Sequence, residues 1–323
     1  MANWVFSGTI VEDMAKGLDL QVEKGNFVPC TFLTTQVDRS GVKQQLRHKR
    51  EHKFIKDIFI DSGAFSVHRG NATCDVDEYI EFANSLDDDA SVFAQLDTIP
   101  GKFGQPKTKQ DYEESAQKSW ENFLYMYPKM KSPNKLMPIF HHGESFDALK
   151  RMLEWRDEHG NQLTYLGLSP ANDRSQKDKD AYLSEVFDFI RKSSNPNVKT
   201  HLYGMTSLQA LAKFPAYSAD SISARLIAGY NKIYTQRWGV ISLSDKSRTS
   251  KTKSNMAFDR TCDSKTLQEL KDLCASYDYT LEQMKEDNCA RTVLTMCEIQ
   301  KANNITYAFK PDNFKRQKKL FRI

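Results

Sequence analysis

The chain has no long uninterrupted apolar run, and its mean hydropathy is −0.63. Nothing approaches the roughly 20 consecutive apolar residues that a membrane-spanning helix requires. Residues 1–9 lack both the basic start and the sustained apolar segment of a secretory signal, so a soluble, cytoplasmic protein is expected. Cysteine is sparse. The six present, Cys30, Cys74, Cys262, Cys274, Cys289 and Cys297, are never closer than seven intervening residues, which excludes a CxxC zinc knuckle or a dense disulfide framework. Free thiols are the expectation. No repeat of the solenoid kind is present. Charge of either sign is also not in large excess: 46 Lys and Arg against 42 Asp and Glu give a formal +4, too little by itself to imply a nucleic-acid partner.

With 323 residues and 39% hydrophobic content, the chain can bury one large core. Its most informative stretch is Ile58-Phe59-Ile60-Asp61-Ser62-Gly63-Ala64-Phe65-Ser66, an apolar run that ends on an acid and a tight turn. Asp-Ser-Gly alone is ordinary turn chemistry. The same pattern recurs, however, with apolar runs ending at Gln95-Leu96-Asp97, His141-His142-Gly143-Glu144, Gly167-Leu168-Ser169, Tyr203-Gly204-Met205-Thr206 and Asp220-Ser221. Several strands presenting polar groups at the same end describe an α/β fold of the TIM (β/α)8 barrel type. The predicted strands are residues 4–10, 27–34, 58–65, 92–98, 136–141, 164–169, 198–204 and 218–223.

Amphipathic segments at 76–85, 111–127, 145–159, 179–192 and 207–214 read as the intervening helices. The first two crossovers, 11–18 and the basic 41–56, fit less well. A barrel domain is expected over 1–243 and a helical, basic extension over 244–323. Within the extension, 244–254 reads as a loop, 264–303 as helical, and 310–323 as a basic tail with interleaved phenylalanines.

Taken in order, Asp61-Ser-Gly-Ala-Phe65, Gln95-Leu-Asp97, Ile139-Phe-His-His-Gly143, Gly167-Leu168, Leu202-Tyr-Gly-Met205 and Ala219-Asp220-Ser221 resemble the motif series of the tRNA-guanine transglycosylase superfamily. The resemblance spans about residues 27–225 and is greatest to the phage and bacterial DNA-guanine transglycosylases, the DpdA family, which put 7-deazaguanine bases into DNA. It implies a pentosyltransferase with Asp220 as nucleophile and Asp61 as general acid/base. It further implies that Asp97 accepts from the N1–H and amine edge of a guanine-like base, that Gly167 and Leu168 bring backbone close to that base, and that Phe65 and Tyr203 stack on its two faces. His141 stands where the tRNA enzymes carry a base-contacting glutamine, a departure that leaves the reading of the purine carbonyl open. The partners implied are DNA and a free 7-deazaguanine such as preQ0, in the host cytoplasm if the chain is phage-encoded. Alternatives are exchange in tRNA, release of a base without insertion, and a barrel that binds purine or nucleic acid without catalysis.

The tRNA branch carries a CxCxxC…H zinc site after its nucleophile. Here Cys262, Cys274, Cys289 and Cys297 are separated by 11, 14 and 7 residues and no histidine follows His201, so that site cannot be built and no structural zinc or other cofactor is expected. In its place stand two basic segments, Lys246, Arg248, Lys251 and Lys253, and Lys315, Arg316, Lys318 and Lys319, which suit a phosphate backbone. Each is, taken alone, more often solvated surface.

Overall fold

Each barrel strand alternates inward and outward side chains, and the outward ones are the larger apolar set. In the computed structural model, which describes residues 3–171, 174–205, 208–244 and 257–305, strand β1 (Asn3–Ser7) points Val5 inward and Phe6 outward. The same division holds in β2 (Cys30–Thr35), β3 (Ile55–Asp61) and β4 (Val92–Ala94), where Leu33, Phe59 and Val92 fill the barrel while Phe32, Ile58 and Phe93 pack under helices. Met137 and Tyr165 complete the inner cluster from β5 (Leu136–Met137) and β7 (Tyr165–Ser169). Aromatic and branched side chains on both faces explain why these runs are strands although neither face is polar.

All barrel pairings are parallel, in the order β5, β4, β3, β2, β1, β9 (Ser218–Ser221), β8 (Lys199–Leu202), β7 and β6 (Ile139–His141). The two ends of that order, β5 and β6, are halves of one stretch interrupted at Pro138, so the sheet returns on itself as an eight-position barrel. Proline has no N–H to give to a ladder, which accounts for the break. Its carbonyl still accepts from Gly167 N at 2.8 Å. The predicted strand at 136–141 is therefore present but divided.

The helical layer consists of α1 (Glu12–Glu23), α2 (Arg39–Glu51), the short α3 (Ala64–His68), α4 (Val76–Ser85), α5 (Lys109–Met126), α6 (Phe146–Glu154), α7 (Gln176–Lys192), α8 (Leu208–Lys213) and α9 (Ser223–Gly229). Caps set their starts: Asp75 accepts from Asp77 N and Glu78 N at α4, and Thr108 with Asp111 forms a capping box at α5. The first two crossovers are ordinary helices, α1 running further than 11–18 and α2 ending earlier than 56.

After a β10–β11 hairpin (Lys232–Thr235, Gly239–Ser242) come α10 (Phe258–Thr261), α11 (Ser264–Ser276), α12 (Leu281–Glu286) and α13 (Asn288–Ile305). The single helical stretch expected over 264–303 is thus three helices. Asp278, at φ 64°, turns the chain, and a second capping box, Thr280 with Gln283, restarts it. Helix α13 packs on α1, α9 and β10, and its Gln300 exchanges two hydrogen bonds with the backbone of Val28 ahead of β2. Among the described residues no helix is long and apolar enough to cross a membrane. The basic residues Lys246, Arg248, Lys251, Lys253, Lys315, Arg316, Lys318 and Lys319 lie outside the described residues.

Candidate active site

Parallel strands present their last residues at one mouth of a barrel, where side chains from different strands converge. Asp61 ends β3, His141 ends β6, Asp97 follows β4, Tyr203 follows β8, and Asp220 lies in β9. The structure therefore brings five of the residues named from sequence to a common mouth. A cavity of about 660 Å³ opens instead among residues at the opposite strand ends, including Asn3, Cys30 and Lys199. Chemistry rather than volume locates the candidate site.

Asp220 is 7% exposed and held by two hydrogen bonds. Ser7 at the end of β1 donates its hydroxyl to Oδ2 at 2.5 Å, and Gly204 N–H donates to Oδ1 at 2.9 Å. His201 Nε2 stands 3.3 Å from Oδ1, off line for a hydrogen bond, while its Nδ1 meets Ser218 Oγ at 2.8 Å and that hydroxyl meets Tyr165 OH at 2.6 Å. A polar chain thus runs from the barrel interior up to Asp220. From sequence His201 is most simply a barrel-wall or satisfied core histidine; it stands in the wall with Nδ1 bonded to Ser218 and with Nε2, lacking a hydrogen bond, beside Asp220. Ser7 carries no signal in the sequence beyond its place at the end of Trp4-Val5-Phe6.

Asp61 is placed by Gly63, whose φ of 78° lets the chain turn back so that its N–H donates to Asp61 Oδ2 at 3.1 Å. A side chain at Gly63 would also strike Val37, with Cβ 2.6 Å from Cγ1. Burial first, then the charges of Asp97 and Asp220, push the Asp61 carboxyl up to about 7, against the opposing effect of the Gly63 N–H. A carboxyl in that range can both give and take a proton near neutral pH.

Asp97 accepts from Ser62 Oγ at 2.9 Å and pairs with His141 Nε2 at 2.9 Å. On its other side, His141 Nδ1 meets Glu144 Oε1 at 2.9 Å, and Glu144 Oε2 also accepts from His141 N at 3.1 Å. Both ring nitrogens face carboxylates, which only accept, so the ring is an imidazolium. Burial opposes that charge, but Glu144 and Asp97 outweigh it and hold His141 up to about 10. With both nitrogens engaged, His141 in this arrangement orients Asp97 rather than pointing a donor at a ligand. Glu144, within the His-His-Gly-Glu run but without a role legible from sequence, supplies the second half of the clamp. His142 points elsewhere, stacked on Tyr182 at 4.4 Å between ring centres.

This charge state makes a prediction. By NMR, His141 should remain doubly protonated from pH 6 to 8, and paired Asp97→Asn and Glu144→Gln changes should let burial dominate and drop its pKa below the wild-type value of about 10. Because the folded value is raised, the clamp's stability is fully present below the ordinary histidine value of about 6.5 and is lost as pH rises through the folded one. A wild-type ring that titrates near 6.5 would remove the clamp.

Tyr203 lies across Gly167: a Cβ there would come within 2.8 Å of the tyrosine Cε2. Its ring also meets His201 edge-on at 4.7 Å. The hydroxyl is buried with no hydrogen-bond partner, and burial together with the charges of Asp61, Asp97 and Asp220 raises its pKa well above the usual value. A donor left unspent among three acids is a group available to a ligand. The Leu168 side chain faces the helical layer, and its carbonyl accepts from Tyr203 N at 2.9 Å. Phe65 stands at the rim on α3, 54% exposed, edge-on to Phe103 at 6.4 Å, with the Arg69 guanidinium 5.6 Å and 5.1 Å from the two rings.

No protein-family model and no curated protein sequence matches the chain. The resemblance to guanine transglycosylases therefore rests on the ordered sequence motifs alone.

Proposed function

We propose that this chain is a DNA-guanine transglycosylase, exchanging guanine for a 7-deazaguanine such as preQ0. The observation that carries the reading is the division of labour between two acids at one mouth: Asp220 fixed by Ser7 and Gly204, and Asp61 held near 7 by burial and its acidic neighbours. In the first step an Asp220 oxygen bonds to the anomeric carbon, the glycosidic C–N bond breaks, and Asp61 gives its proton to the departing guanine. In the second, the incoming base bonds through its ring nitrogen, that nitrogen's proton passes to Asp61, and Asp220 leaves. No oxidant or metal enters the balance. Asp97, oriented by His141, accepts from the donor edge of the base, and Tyr203 offers a ring face and an unspent hydroxyl.

The rim supports a polymeric substrate taken in with one nucleotide turned out of its stack. Phe65, Phe103 and Arg69 provide exposed aromatic faces and a cation of the kind that hold unstacked bases. The deciding experiment is incubation with labelled preQ0 and either plasmid DNA or unmodified tRNA, followed by nucleoside mass spectrometry. Label in DNA is expected. Label in tRNA alone would move the substrate to RNA, free guanine without incorporated label would make the protein an N-glycosidase, and no product with either polymer would leave a binding barrel.

Docking is separable from chemistry. Neutralising Lys246, Arg248, Lys251 and Lys253, or Lys315, Arg316, Lys318 and Lys319, should weaken binding to all DNA sequences alike. The slope of log affinity against log salt should flatten by about 0.9 for each duplex phosphate that is no longer neutralised. Exchange at saturating DNA should survive. An unchanged slope would return both segments to solvated surface.

A further inference from the structure

On the outside of the barrel, away from the acids, the first turn of α1 and the last turns of α2 bring together Glu12, His48 and His52. One donor atom from each lies within 4.8 Å of the others. His48 lies in the last turn of α2 and His52 is the extended residue that caps it, and their rings meet edge-on at 5.1 Å between centres. Their outer nitrogens are already spoken for. His48 Nε2 lies 3.0 Å from the carbonyl of Ile10, and His52 Nδ1 lies 2.8 Å from Asp19 Oδ2. Both partners only accept, so each of those nitrogens carries hydrogen, and in the neutral rings the lone pairs reside on His48 Nδ1 and His52 Nε2. These are the two nitrogens that face Glu12, at 4.0 Å from Oε2 and 3.8 Å from Oε1. His48 is fully buried and its Nδ1 has no hydrogen-bond partner.

We propose that Glu12, His48 and His52 bind a divalent transition-metal ion of the zinc type, which clamps α1 to α2. Two imidazoles and a carboxylate form a donor set suited to that ion, and a carbonyl or carboxylate behind each ring is the usual support for a ligating histidine. Tetrahedral bonds of about 2.0 to 2.1 Å place donor atoms roughly 3.4 Å apart, so a set whose atoms lie within 4.8 Å of one another must contract around the ion. Glu12, its side chain 42% exposed, has the freedom to supply that movement. Its present partner is Arg47, with Nη2 3.1 Å from Oε2, and Arg47 has a second carboxylate, Glu51, at 3.6 Å to which it can turn. The expectation of a metal-free chain rests on cysteine spacing and does not weigh these nitrogen and oxygen donors.

The test uses the full chain, dialysed against a chelator and titrated with Zn²⁺ and Co²⁺. One equivalent is expected, with visible cobalt bands but without the near-ultraviolet charge transfer that cysteine thiolates would add. Zinc should raise the melting temperature. His52→Gln and Glu12→Gln, at positions less buried than His48, should each weaken binding by at least about 10-fold, the loss expected from removing even a supporting partner. Arg47→Gln should tighten it, because it frees Glu12. No saturable binding at micromolar metal, a thiolate spectrum, or affinity unmoved in the His52 and Glu12 variants would each overturn the site. None of these results depends on base exchange, so the proposal stands or falls apart from the chemistry at Asp220.

Discussion

Asp220→Asn should abolish base exchange, and with it any protein–DNA adduct that survives denaturation. The side chain is nearly isosteric. Its amide oxygen can still accept from Gly204 N–H and its amide nitrogen can donate to Ser7 Oγ, so the mouth should keep its shape. What the amide cannot do is form and release an ester with the sugar. Removing a covalent nucleophile while leaving its surroundings intact commonly costs on the order of 10⁴-fold or more. Denaturing gels of protein incubated with DNA, alongside nucleoside analysis, read both effects. An adduct that persists in the variant would place the nucleophile elsewhere.

For Asp61→Asn, turnover should fall by about 10² to 10⁴-fold while DNA and base affinity hold, as expected for loss of a positioned proton carrier. The pH behaviour distinguishes this from simple misplacement. Wild-type exchange should show a limb near pH 7, set by the raised Asp61 carboxyl, and the variant's residual rate should lack it. Stability gives an independent check. The folded carboxyl titrates at about 7 against an ordinary 3.8, so its contribution is fully present below the lower value and is lost as pH rises through the upper one. Asparagine carries no such loss. The variant should therefore gain on wild type in melting temperature between pH 4 and pH 8, by an amount corresponding to roughly 2 kcal/mol after allowance for partial solvation. A constant difference across that range would mean that Asp61 is not the titrating group, and lost affinity with turnover intact would leave it only a positioning role.

The barrel was legible because six of its eight expected strands announce themselves twice, as an apolar run and as a polar stop. Asp61, Asp97, His141 and Asp220 all stand at such stops, and the structure gathers them. Their supports were less legible because each has a commonplace local explanation. Ser7 resembles any strand-end serine, Glu144 any turn acid, and His201 any buried ring; only the pairing of β9 with β1 and with β8 places Ser7 and His201 beside Asp220. The C-terminal helices misled for a different reason. Residues 290–300 of α13 are buried all round, which erases the amphipathic period that marks a helix's limits. The turn at Asp278 also needs a left-handed conformation that no glycine advertises.

The break at Pro138 has a mechanical side. β5 pairs only with β4 and β6 only with β7, so near the mouth the β4 and β6 walls share no backbone rungs among the described residues. The Asp97–His141 contact spans that join. The ring should therefore be stiffer around most of its circumference than at this one seam, whose latch includes Asp97, the side chain proposed to greet the base. Hydrogen exchange should report it: amides flanking Pro138 should exchange faster than those of β1 to β3, and faster still when Asp97→Ala removes the latch. A ligand that draws Asp97 away from His141 would loosen the wall it leans on, coupling occupancy of the site to the width of its own doorway.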